Sequence, residues 1–185
     1  DIRIPGAGTA AMTVLLVSLS ILFAASTLAF LMIRWRSPTW PPVGFPPLPR
    51  SLWFSTVLIL LASVAAQVAL HAIRRDQERA LKRALWTTLL MGLLFLALQT
   101  YNWWEFLQRI QPPLTIEGAY LGMFYVLTGL HAAHVLGGLV PLVIVLVKTY
   151  RGRYSRNFHP GVRYCTVYWH FLDVVWVLLF AALYF

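Results

Sequence analysis

The chain has 185 residues, of which 59% are apolar and only 11% charged, and its mean hydropathy is +0.70. Soluble domains carry about 25% charged residues, and a chain this short leaves too many positions facing outward to hide so much apolar surface, so an ordinary soluble protein is excluded. Fifteen Lys and Arg against six Asp and Glu give a net charge of +9, which among lipids marks orientation and head-group contact rather than a nucleic-acid partner. The single cysteine, Cys165, excludes an intrachain disulfide and a thiolate metal cluster.

Windows of about 20 apolar residues predict five transmembrane helices. The first, 9–33, exceeds the apolar core of a signal peptide, has no small-residue cleavage site after it, and ends in the interfacial anchor Arg34, Trp35 and Arg36. The segment 34–50 holds six of the eleven prolines and is expected to form an extended, polyproline-like external strap, with Trp40 and Phe45 at the membrane interface. Helices at 51–73 and 84–107 follow, separated by a basic turn from Arg74 to Arg83. A brief, nearly uncharged connection leads to the fourth helix, 118–147, in which Pro141 is expected to cause a kink or free a carbonyl. A second basic segment, Lys148 to Gly161, precedes the fifth helix, 162–184. The fold class is therefore all-α: a polytopic five-helix bundle forming one membrane domain over 1–185, with no internal repeat.

The charge is polarised. Arg3, the turn from Arg74 to Arg83 and the segment from Lys148 to Arg163 place eleven basic residues on one side; Arg34, Arg36, Arg50 and Arg109 are the four on the other. The positive-inside bias then sets the N-terminus in the cytoplasm and the C-terminus outside.

Ionisable side chains are costly in a bilayer and face protein, water or a partner charge. The candidates are His71, Glu105 with Gln99 and Asn102, His131 and His134 on the fourth helix, and His170 and Asp173 on the fifth. Glu105 stands beside Trp103 and Trp104 near the external end, where an interfacial carboxylate is the plainer reading. Helical spacing gathers Thr166, Trp169, His170, Asp173 and Trp176 towards one face, with His170 and Asp173 at i, i+3. An Asp in mid-helix needs a donor, and His170 or a fourth-helix histidine is the nearest kind. Gly137 and Gly138 would let another helix approach closely. Spacing leaves three roles open for the histidines: hydrogen bonding that fixes packing, axial ligation of a haem, and a proton relay. No phosphate-binding glycine loop, nucleophile elbow or HExxH motif is present.

Specific strings go further. Tyr168-Trp169-His170-Phe171-Leu172-Asp173-Val174-Val175-Trp176 closely resembles the helix-5 signature of the cytochrome c oxidase subunit III family. Thr128 to Gly138 resembles the preceding helix of that family, and Gln99-Thr100-Tyr101-Asn102-Trp103 its helix 3. The likeness covers residues 51–185 well and the first helix loosely.

The resemblance implies a bacterial five-helix form with a cleft between helices 1–2 and helices 3–5. It implies a non-redox subunit of a proton-pumping terminal oxidase that reduces O2 to water, packed on the catalytic subunit I beside subunit II and supporting sustained turnover and proton uptake. It implies no haem or copper in this chain, both being held by partner subunits, and bound structural phospholipid. Electrons would reach the complex from cytochrome c or a quinol. Lys148, Arg153 and His159 match family positions at a lipid-binding site, and charge-assisted bonds to phosphate suit the two cations. His131, His134, Trp169, His170, Asp173 and Trp176 become a buried polar core that serves packing and assembly. Three departures stand out: Ser20 where the family commonly has an acid, Arg163 where a glutamate is usual, and Asn102 where Glu is frequent, with Glu105 one turn on. The rival readings are a haem-b membrane anchor, a small transporter, and a subunit III-like partner of nitric oxide reductase.

Overall fold

The computed structural model describes residues 6–37, 47–109 and 118–184, the side chains of 118–120 excepted. Its helices are α1 (Ala7–Arg36), α2 (Ser51–Arg74), α3 (Glu78–Gln108), α4 (Gly118–Tyr150) and α5 (Pro160–Tyr184). All five are long and apolar enough to cross a membrane, so the protein is a multi-pass, all-α membrane protein. Most of the proline-rich strap, the connection between α3 and α4, and Arg3 lie outside the described residues.

Each predicted span lies within one of these helices, and several helices run on past its ends. α3 starts at Glu78, not at residue 84, and α4 continues to Tyr150. An apolar window cannot see a helix that carries on into the head-group layer. There the first turns of α3 are built from good helix formers, and Lys82 pairs with Glu78 one turn back. The basic stretch from Arg74 to Arg83 is therefore mostly helix, and the turn itself is only Arg75, Asp76 and Gln77. α4 runs unbroken through Pro141, and α5 begins on Pro160, whose missing N–H costs nothing at a first helical position.

The helices α2, α3, α4 and α5 close a ring in which each packs on its chain neighbour and α5 returns to α2. α1 stands outside the ring and, among the described residues, packs on α4 and α5. The cleft expected between helices 1–2 and helices 3–5 is thus corrected: among the described residues α1 and α2 share no contact, and α2 belongs to the four-helix ring. The tight turn hands α2 directly to α3, and α2 buries Ala62, Ala65, Ala66, Ala69 and Ala72, small residues that allow close approach. α1 buries only Leu19, Phe23 and Phe30 among its described residues.

Lipid gives helices no hydrophobic reason to associate, so packing and interhelical hydrogen bonds hold the ring, the latter worth about 0.6 kcal/mol each. Asn102 Nδ2 donates to Ser55 Oγ at 3.0 Å, Trp103 Nε1 to Thr128 Oγ1 at 2.9 Å, and Trp176 Nε1 to Thr56 Oγ1 at 2.9 Å. The Thr166 hydroxyl donates to the Ala66 carbonyl at 3.1 Å, and the Tyr168 hydroxyl to the His134 carbonyl at 3.0 Å. Two glycines receive aromatic rings: a Cβ on Gly92 would lie 2.6 Å from the Trp169 indole, and one on Gly138 2.7 Å from the Tyr168 ring. Gly137, the other glycine expected to admit a helix, faces open space.

Candidate functional site

At the basic end, α4 stops on a left-handed residue, Gly152 (φ 63°). The Gly152 N–H bonds the Thr149 carbonyl at 3.1 Å and the Arg153 N–H bonds the Lys148 carbonyl at 3.0 Å, the paired bonds of a Schellman cap. This reversal brings Arg153 back beside Lys148. Both line a cavity of about 520 Å³ with Tyr154, Phe158, Gly161 and Tyr164. Burial pushes the Tyr154 phenol above its ordinary value of 10.0, so it stays a neutral O–H donor.

Lys148, Tyr154, Gly161 and Tyr164 also line a second, apolar groove of about 410 Å³. It runs between α1, α4 and α5 past Met12, Leu15, Ile144 and Pro141 to Gly137 and Tyr168. A cationic head and an apolar trough that share residues suit a phosphate and its acyl chain. His159 lines the adjoining cavity with Arg163 and Asn157, and its Nδ1 lies 3.1 Å from the Ser155 carbonyl oxygen.

The intramembrane histidines and Asp173 do not share one place. His131 is fully buried in the ring, enclosed by Trp176, Phe95 and Phe23 with ring centroids 5.0, 5.6 and 6.2 Å away. Neither of its nitrogens has a hydrogen-bond partner. His134, half-buried beside α1, bonds the Leu130 carbonyl through Nδ1 at 2.7 Å and meets the Phe23 ring edge-on.

His170 and Asp173 stand at the outer seam between α2 and α5. His170 Nδ1 lies 2.6 Å from Ser63 Oγ and Nε2 lies 3.0 Å from Gln67 Oε1. Asp173 is half-buried, with the Ser63 hydroxyl and the His170 ring as its polar neighbours. These groups line a trench of about 580 Å³ that runs along α2 to His71, Arg75 and Gln77 at the basic end. Among the described residues, no three His, Cys, Asp or Glu side chains are grouped so as to hold a metal ion.

The family model for cytochrome c oxidase subunit III matches residues 9–185. The chain belongs to the cytochrome c oxidase subunit III family. It is 36% identical to cytochrome c oxidase subunit 3 of Synechocystis sp. over 171 residues, covering 91% of this chain and 71% of the relative. It is 30% identical to that of Thermostichus vulcanus over 185 residues, covering 100% and 87%. The subunit 3 of the fish Latimeria chalumnae is 36% identical over 148 residues, 78% of this chain and 54% of that longer one.

Within this family member, the structure brings Lys148 and Arg153 together and places His159 one cavity away. It does not assemble a single histidine-aspartate core. His131 faces the ring's interior, His134 faces α1, and His170 with Asp173 faces outward on the far side of α5. The donor expected for Asp173 is His170 or a fourth-helix histidine; His131 and His134 point elsewhere, and both His170 nitrogens turn to Ser63 and Gln67 on α2. Trp169 and Trp176 are buried, at 0% and 1% exposure. Ser20 lies exposed on α1 with its hydroxyl on the Leu16 carbonyl. Asn102 and Glu105 do face the same way, reaching Ser55 and Ser51 of α2, and Glu105 is paired with Arg109. Sequence reasoning missed Ser63, Gln67, Tyr154, Tyr164 and Gly152. For Tyr164 a signal existed: it stands one turn from Tyr168 on α5.

Proposed function

We propose that this chain is subunit III of a bacterial aerobic terminal oxidase, a non-redox subunit packed on the catalytic subunit I beside subunit II and acting as one membrane domain. The family match across residues 9–185 carries this reading. The haem and copper that reduce O2 to water sit in the partner subunits, and electrons enter the complex from cytochrome c or a quinol. The chain lies in the inner membrane with its N-terminus cytoplasmic and its C-terminus external, as the eleven-to-four basic asymmetry favours. It supports sustained turnover and proton uptake by stabilising its partner.

Structural phospholipid is the second part of the proposal. Lys148 and Arg153 hold the phosphate, Tyr154 and His159 flank it, and one acyl chain follows the groove between α1, α4 and α5. The intramembrane residues His131, His134, Trp169, His170, Asp173 and Trp176 serve packing and assembly.

Affinity purification of the tagged chain from its native membrane tests the first part. Haem-copper subunits and O2-consuming activity should accompany it, and turnover should decay faster when the chain is stripped away. A nitric oxide reductase in their place, or a stoichiometric b-type haem band on the isolated chain, would overturn the reading. For the second part, Lys148→Gln with Arg153→Gln should deplete tightly bound phospholipid in native mass spectrometry; equal retention rejects the lipid role.

A further inference from the structure

The seam between α2 and α5 has a feature that packing within this chain does not explain. The half-buried Asp173 carboxyl group sits midway along α5 and lines the trench, yet this chain gives its enclosed Oδ1 no hydrogen bond, and the trench-facing side of the group is the part a partner can reach. The Ser63 hydroxyl is its near polar neighbour, and that hydroxyl is already engaged with His170 at 2.6 Å. One hydroxyl proton cannot satisfy a carboxylate with about four acceptor positions. A carboxyl group in hydrocarbon with spare acceptors is costly, and such groups face a partner or a polar cavity.

The surroundings say what kind of partner fits. Among the described residues α1 and α2 both touch α5 but not each other, and a strip of α5 lies open between them, with Val174 and Leu178 59% and 61% exposed. Val64 and Val68 form the opposite rim on α2 and are likewise exposed. An acyl chain lying there would bring only methylenes to Asp173. A transmembrane helix would cover the apolar strip and also bring a donor to the carboxylate.

We infer that the α2–α5 trench is the seat of a transmembrane helix from a partner oxidase subunit, which donates a hydrogen bond from a hydroxyl, amide or cationic side chain to Asp173. This rests on the oxidase-subunit reading above and adds the face and the chemistry of the contact.

The test uses the assembled complex. A photo-crosslinking amino acid is placed at Val64 or Val68 on the rim, and at Leu90 or Leu94, exposed positions on α3, as controls. Illumination in native membranes should join positions 64 and 68 to one integral oxidase subunit, and positions 90 and 94 to lipid. Asp173→Leu should lower the rim crosslinks and the retention of the chain in detergent several-fold, with Asp173→Asn retaining more of both. Co-purification of the unmodified chain is read first: absence of haem-copper subunits would overturn the oxidase reading and this inference with it. With the complex intact, lipid-only adducts at 64 and 68, subunit adducts from α3 instead, or unchanged retention of Asp173→Leu would each overturn the inference alone.

Discussion

The backbone N–H of Arg153 reaches back 3.0 Å to the carbonyl of Lys148, so two cations five positions apart in sequence share one end of α4. Only the left-handed backbone at Gly152 permits that reversal. Space is not the constraint, because a Cβ there would meet nothing within 4 Å. Gly152→Ala should therefore act through the backbone alone, costing about 1 kcal/mol and lowering the melting temperature by about 2–4 °C. It should also weaken phospholipid retention, with Gly152→Asn milder than Ala because Asn tolerates this conformation. A melting curve and lipid content unchanged by Ala would show that Gly152 does not set the geometry.

The same cap closes α2, with a different residue in the left-handed position. Asp76 has φ 56°, its N–H bonds the Ile73 carbonyl at 3.2 Å, and the Gln77 N–H bonds the Ala72 carbonyl at 3.0 Å. A side chain at this position carries a steric cost that glycine avoids. Asp76→Gly should raise stability by about 0.5 kcal/mol, a small upward shift in thermal denaturation, without altering assembly. A downward shift would mean that the Asp76 side chain contributes more than its backbone strain costs.

Gly92 on α3 admits the Trp169 indole of α5, leaving a hypothetical Cβ 2.6 Å from the ring and 3.1 Å from Leu139. The indole is fully buried and has no room to yield. Gly92→Ala should overpack this crossing and cost about 1–3 kcal/mol, seen as earlier thermal aggregation of the detergent-solubilised protein. Combining it with Trp169→Phe should recover part of the loss, since the smaller ring vacates the space. Strict additivity of the two changes would argue that the helices separate instead.

The span positions were legible because an unbroken apolar run needs no tertiary information. The ring was not: which faces meet depends on side-chain shape, such as Gly92 receiving Trp169 or the alanine face of α2, and periodicity does not encode it. At the basic end, charge gave only the orientation; the family resemblance singled out Lys148 and Arg153 among the cations, and the structure added the groove that a fatty chain could follow. In the membrane interior, i, i+3 spacing grouped His170 with Asp173 correctly on one helix. It could not show that Ser63 and Gln67, unremarkable in an apolar run, would turn His170 towards α2.

His131 tests what a buried intramembrane histidine contributes. Its ring is packed among Trp176, Phe95 and Phe23, and both nitrogens lack partners, so its value to the fold lies in shape, while its polarity is a cost. Replacing an unsatisfied buried polar group by an apolar one of similar form is near neutral or stabilising. His131→Phe should therefore match or exceed the parent in thermal stability, whereas His131→Ala, which leaves a cavity, should lose about 2–4 kcal/mol. His170→Phe provides the contrast, because it removes two hydrogen bonds to α2 and should destabilise by about 1–3 kcal/mol. If His131→Phe were as damaging as His131→Ala, the nitrogens must be satisfied by an internal water, and polarity rather than shape would be what the ring supplies.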